Sequence, residues 1–193
     1  MSARLVRVLD QGNRVTLSFA AGNNNLSCGG APSIVAINST EGGFTTAALD
    51  QQGRPQAYSS RGPGQCNALC PFVSAPTFGV LPWGAGWRDF GPEGGRTSSA
   101  AAMLSCALSL LRGEHPQANN TDLRVALAAS AKKPPGSMPF YDPATGFGLL
   151  QVDGALSALP RVQSSPLYPV LAARGFLRPP AFTGLPFLGA TTV

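Results

Sequence analysis

TLSFAAGN (residues 16–23) and RTSSAAAMLSCALSLLR (residues 96–112) are the two stretches on which the fold turns. The first sits in a mostly apolar run from Val15 to Ala21, closed by Gly22-Asn23, which reads as a buried parallel strand ending in a turn. The second is an Ala/Leu/Met series that nothing breaks before Gly113 and Pro116. It carries no charge between Arg96 and Arg112, so it reads as a helix apolar all round, central and buried, with Cys106 as one of its small buried side chains.

Working outward, Leu5 to Leu9 reads as a short helix stopped by Gly12-Asn13. PSIVAIN (32–38), TTAAL (45–49) and CPFVSAP (70–76) read as further extended runs, and Gly79 to Gly95 as a loop rich in glycine. NNTDLRVALAASA (119–131) predicts a helix with Thr121 as N-cap and Leu123, Ala126 and Leu127 on one face. GFGLLQVDGALSAL (146–159) predicts a turn and a last short helix. Strands followed by helices, with glycine-rich loops at strand ends, make an α/β layered domain over residues 1–159. From Pro160 the chain turns proline-rich without acidic residues and reads as an extended or disordered tail, residues 160–193.

Composition bounds the function. The 193 residues carry a net charge of +5, yet only 12% are charged. The arginines are dispersed and Lys132-Lys133 is the only adjacent lysine pair, so no phosphate-tracking surface is expected and nucleic acid is excluded as a partner. No apolar run reaches the length of a membrane span, which excludes a transmembrane protein but not a secreted one. Cys66 and Cys70, four apart, lack the second close pair of a zinc site; a local disulfide and two plain thiols both remain open. The expectation is no metal and no cofactor. The sequons at Asn25, Asn38 and Asn119 read as chance matches.

Taken singly, Asn23 is a turn residue and Ser98 an N-cap. Their order and context give them another meaning. TLSFAAGNNN, PSIVAIN, AYSSRGP, FVSAP, RTSSAAAMLSCALSLL and GFGLLQVDGAL follow one another as they do in the C-terminal half of the catalytic domain of subtilisin-like serine proteases, the subtilases, which the chain resembles from about Leu5 to Leu159. GFGLLQVD looks like the tripeptidyl-peptidase II type. The resemblance implies a partial doubly wound parallel sheet of subtilisin type, truncated on its N-terminal side. It implies Ser98 as nucleophile, Asn23 as the oxyanion-hole amide, and Ala20, Ala21 and Gly22 along a pocket for a peptide or protein substrate.

The chain also departs from the family. Arg96 stands where glycine usually precedes the Thr-Ser pair, Ser99 where methionine often follows, and Ala102 where the helix usually has proline. An arginine at this tight turn is expected to oppose the needed backbone geometry or to block the pocket. Subtilases run Asp, His, Ser along the chain. Here the single histidine, His115, lies 17 residues past Ser98 on the same predicted helix, ~25 Å away at 1.5 Å per residue. A general base must come within ~3 Å, so His115 cannot serve. The expectation is therefore a protease segment inert by itself, needing an N-terminal half that carries Asp and His. The competing expectation is a catalytically dead peptide-binding or assembly module.

Overall fold

The computed structural model describes residues 3–11, 15–29, 32–40, 42–64, 68–77, 79–83, 86–90 and 96–172. Its centre is a three-stranded parallel sheet, β1 (Leu17–Ala20), β2 (Gly43–Leu49) and β3 (Val73–Pro76), in the order β1-β2-β3. The register pairs Leu17 with Gly43 and Thr46 with Val73. Every residue of β2 is buried, as a strand with neighbours on both sides and helices over it must be. β1, at the edge, is only half-buried along its length.

Helix α1 (Ala3–Gln11) precedes the sheet, and the long helix α2 (Arg96–Glu114) packs on all three strands. Helix α3 (Asn120–Ser130) and helix α4 (Val152–Ala158) follow. The core joins Phe44 and Phe72 of the sheet layer to Leu104, Leu108 and Leu111 of α2 and Leu123 to Ala128 of α3. Phe72 packs against Phe147 with ring centroids 5.1 Å apart and edge-on to Phe44 at 5.7 Å, which favours aromatic pairs beyond the area they bury. α1 is tied on by a charged bond: Arg124 of α3 pairs with Asp10 at 2.7 Å, and the Asn120 amide donates to the same carboxylate.

Several expectations need correction. PSIVAIN is not a strand; the Ser33 and Ile34 N–H groups both go to the Arg61 carbonyl of a loop, and Ala36–Ser39 form a 3-10 turn. The stretch read as a loop contains an antiparallel hairpin, β4 (Gly79–Trp83) with β5 (Gly86–Phe90). A two-stranded ribbon is all edge, which is where Pro82 is tolerated. The N-cap of α3 is Asn119, not Thr121: its side chain accepts the Asp122 N–H and Asp122 returns the bond. The break expected at Pro160 is not there, because Leu159–Ser164 form a 3-10 turn and α5 (Leu167–Ala172) follows, burying Val162 and Leu171 in the common core. The remainder of the expected tail, residues 173–193, lies outside the described residues, as does Cys66. Among the described residues no helix is long and apolar enough to cross a membrane.

α2 itself differs from its sequence reading. Thr97, Ala100, Leu104, Ala107, Leu108 and Leu111 are buried, but Met103 is 44% and Leu110 57% exposed. Cys106 is an exposed free thiol, not a buried one.

Candidate active site

The turn after β1 and the first turn of α2 meet at the carboxyl end of the sheet, where open α/β sheets form their ligand crevices. Thr97 is fully buried and gives both of its donors to the side chain of Asn23, the N–H at 3.3 Å and the hydroxyl at 2.9 Å to Oδ1. A backbone N–H can only donate, so this pair fixes which way the amide faces. The Asn23 Nδ2 then points away from Thr97, and among the described residues it has no protein acceptor. Ser98, the next residue along, is exposed in the first turn of α2, where backbone N–H groups have no partner inside the helix.

The loop that carries Asn23 is clamped from behind by the AYSSRGP block. The Ser60 N–H donates to the Gly22 carbonyl at 2.8 Å, and Ser60 Oγ accepts the Asn24 N–H at 3.1 Å. Asn25 donates its side-chain N–H to the Ala57 carbonyl at 2.7 Å. Gly22 has φ +104°, and a Cβ there would lie 3.0 Å from Ser60 Oγ. A further bond, Ser18 Oγ to the Ala101 carbonyl at 3.2 Å, holds β1 against α2 just below the site.

Of the residues expected along a pocket, Ala20 and Gly22 are half-buried. Ala21 is 1% exposed and enclosed with Ile34, Ala68 and Cys70 in a small cluster of its own. Arg96 takes φ +49°, the left-handed conformation that glycine would adopt without cost. The turn thus keeps the geometry a glycine would give and carries strain of ~1–2 kcal/mol. The Arg96 side chain is exposed, with its guanidinium 5.6 Å from the centre of the Tyr58 ring. His115 follows the last residue of α2 and donates its N–H to the Leu111 carbonyl at 3.0 Å, at the opposite end of the helix from Ser98.

Sequence reasoning did not foresee Thr97 as the anchor of Asn23, nor Ser60 as the clamp on its loop. Both residues stood within blocks read as family-like, so the signal was present without the contacts. Away from the site, burial holds the Lys133 ammonium down at about 8, against a weaker upward pull from Asp142. Burial pushes the Tyr141 phenol well above its usual 10, helped by the fields of Cys70 and Asp142.

Residues 3–151 match the family model of peptidase S8, the subtilase family. No curated protein matches the chain. Among solved structures, the chain resembles the patellamide maturation protease PatA at 24% identity and TM-score 0.61, covering 82% of this chain and 56% of that one. It resembles the PatG macrocyclase in complex with peptide at 21% and 0.61, with 81% and 47% covered. MycP1 with its N-terminal propeptide removed matches at 19% and 0.53, with 74% and 50% covered. The chain spans about half the length of these structures, and at such identities they speak to fold alone. The family match extends over most of the chain, from α1 past the Ser98 helix, and on it the protein is a member of the subtilase family.

Proposed function

We propose that the chain carries the nucleophile and oxyanion half of a subtilisin-like serine peptidase site, with Ser98 as nucleophile and Asn23 as the oxyanion donor. One observation carries the reading: Thr97 uses up the oxygen of the Asn23 amide, so its N–H donors are left for a ligand beside an exposed serine hydroxyl. The same bonds also satisfy the buried Thr97 donors, so it is the Nδ2 left over beside the serine, and not the orientation by itself, that points to a ligand. In the reaction, Ser98 Oγ attacks the carbonyl carbon of a peptide bond and its proton passes to a base. The tetrahedral oxygen takes hydrogen bonds from Asn23 Nδ2 and the Ser98 N–H, the amine leaves with a proton from that base, and water hydrolyses the acyl ester.

The base is the part this chain does not supply, since His115 is ~25 Å from Ser98 along the helix. Loss of the triad histidine in subtilisin itself costs ~10⁶ in turnover, so these residues by themselves are close to inert, and imidazole and carboxylate must come from outside them. The site's remaining parts still give ~10³–10⁴ over water in that enzyme. A second reading, a peptide-binding module without catalysis, is favoured by the one histidine of these residues, His115, lying at the far end of α2 from Ser98.

The two are separated by treating the chain with a fluorophosphonate and mapping the modified serines. Selective modification of Ser98 over Ser105 and Ser109, exposed on the same helix, is expected, together with acceleration by added imidazole as a diffusible base. Ser98→Ala abolishes it. Modification spread evenly over the exposed serines, unmoved by imidazole, refutes the peptidase reading and leaves the binding module.

A further inference from the structure

Arg96 is unfavourably placed in two respects. Its backbone takes φ +49°, the one positive φ outside glycine among the described residues. Its charge sits at the first residue of α2, the positive end of the helix dipole, and the first turn holds no acid against it. Among the described residues its guanidinium forms no ion pair; it rests, exposed, 5.6 Å from the centre of the Tyr58 ring, a contact that is weak at an exposed position. A strained backbone carrying an unpaired charge at the mouth of a crevice points to a ligand.

Both ends of the residue lie against the loop that carries Asn23. Its backbone leads into Thr97, whose N–H and hydroxyl hold the Asn23 Oδ1. Its guanidinium lies on Tyr58, whose carbonyl accepts the Asn25 N–H at 3.2 Å and whose hydroxyl shares a hydrogen bond with the buried Thr77 at 3.2 Å. The ring is thereby fixed at main chain and side chain. Ser98 is two residues further along, within ~7 Å of backbone. The guanidinium thus stands beside the site on a fixed platform, and its planar fork of donors matches the two oxygens of a carboxylate.

We propose that Arg96 is a specificity-determining residue, which selects peptides carrying a carboxylate close to the bond that faces Ser98. The guanidinium takes the carboxylate in two parallel N–H···O bonds while the Tyr58 ring supports it from behind. The inference rests on the peptidase reading for the part played by Ser98. The carboxylate has two sources, an acidic side chain within the peptide and the free C-terminus of a short one.

The test titrates the full chain into N-dansyl hexa-alanine peptides, amidated at the C-terminus and carrying one Glu or one Gln at each position in turn, and follows fluorescence anisotropy. Hexa-alanine with a free C-terminus covers the second source. One Glu position, or the free C-terminus, is expected to bind ~10-fold tighter than its Gln or amidated counterpart, as a charge-assisted pair gives. The preference should shrink in about 0.5 M salt. Arg96→Gly should abolish it without lowering the urea midpoint, because glycine takes this turn without strain. Arg96→Lys keeps the charge without the fork and should retain only part of it. Equal binding of Glu and Gln at every position with no gain from the free C-terminus, no binding by any peptide, or a preference that Arg96→Gly leaves intact overturns the proposal. Fluorophosphonate modification of Ser98 keeps the two readings apart. A preference lost with Arg96→Gly upholds the carboxylate site even where Ser98 is not modified, and modification without preference defeats that site alone.

Discussion

Gly22→Ala tests whether the loop bearing Asn23 is held as described. Alanine at φ +104° meets a backbone penalty of ~1–2 kcal/mol. Its Cβ would stand 3.0 Å from Ser60 Oγ, closer than real Cβ atoms are comfortably found. Ser60 cannot rotate away freely, because that oxygen accepts the Asn24 N–H, a bond worth ~1 kcal/mol. The sum is a loss of about 2–3 kcal/mol, a large part of an ordinary domain's 5–15 kcal/mol, readable by urea unfolding. A double-mutant cycle sharpens it. In a Ser60→Ala background the hydroxyl is gone and the next atom, the Ser60 Cβ at 3.6 Å, is in ordinary contact. Gly22→Ala should then cost only the backbone term, giving a coupling of ~1 kcal/mol. A cost below about 0.5 kcal/mol, or the same cost in both backgrounds, means Ser60 does not fix this turn.

Asp10→Ala removes the ion pair with Arg124, whose side chain is 4% exposed, and the bond from Asn120; it should cost about 2–4 kcal/mol, and a loss under 1 kcal/mol would refute the view that this pair fastens α1. Between pH 8 and 10.5 the unfolded chain holds the Lys133 proton more firmly than the folded one, so stability should rise with pH across that window. The full shift corresponds to about 3 kcal/mol, and screening at its exposed part reduces this to about 1–2. Lys133→Met should abolish the rise. Above pH 10 the trend should reverse, because the unfolded chain ionises its tyrosine first while Tyr141 stays protonated in the fold. Tyr141→Phe should remove that fall, and a flat wild-type profile from pH 7 to 11 would overturn both assignments.

What could be read from the sequence was what short segments decide for themselves. The runs Val15 to Ala21, TTAAL and CPFVSAP, apolar and closely bounded by turn residues, read as strands beneath helices, and β1, β2 and β3 run through them. PSIVAIN has the same look, yet its N–H groups found a loop carbonyl, a choice that depends on where Arg61 ends up and not on local preference. The hairpin at Gly79–Phe90 was hidden by its glycines, and Thr121 lost the cap to Asn119 because Asp122 sits where it can answer Asn119. At the site, Asn23 and Ser98 were legible as residue types in order. Their link through the Thr97 donors was not, because it joins segments 74 residues apart.

On the proposed reading it is the remaining Nδ2 that requires an amide here, and Asn23→Asp puts that to a measurement. A carboxylate oxygen can accept the Thr97 N–H and hydroxyl as Oδ1 does now, and it lies near the positive end of α2, so the fold should lose nothing and gain about a few tenths of a kcal/mol. The other oxygen, however, replaces the Nδ2 donor with a negative acceptor beside the proposed oxyanion position. Removing one such donor costs ~10²–10³ in turnover in subtilisin itself, and a repelling charge cannot do better. Imidazole-assisted fluorophosphonate modification of Ser98 should therefore fall by ~10² or more with the unfolding midpoint unmoved. Asn23→Ala should lower both, since it also strands the two Thr97 donors. If Asn23→Asp is modified as fast as the parent chain, Nδ2 is not aimed at the reacting oxygen, and the asparagine is a turn residue after all.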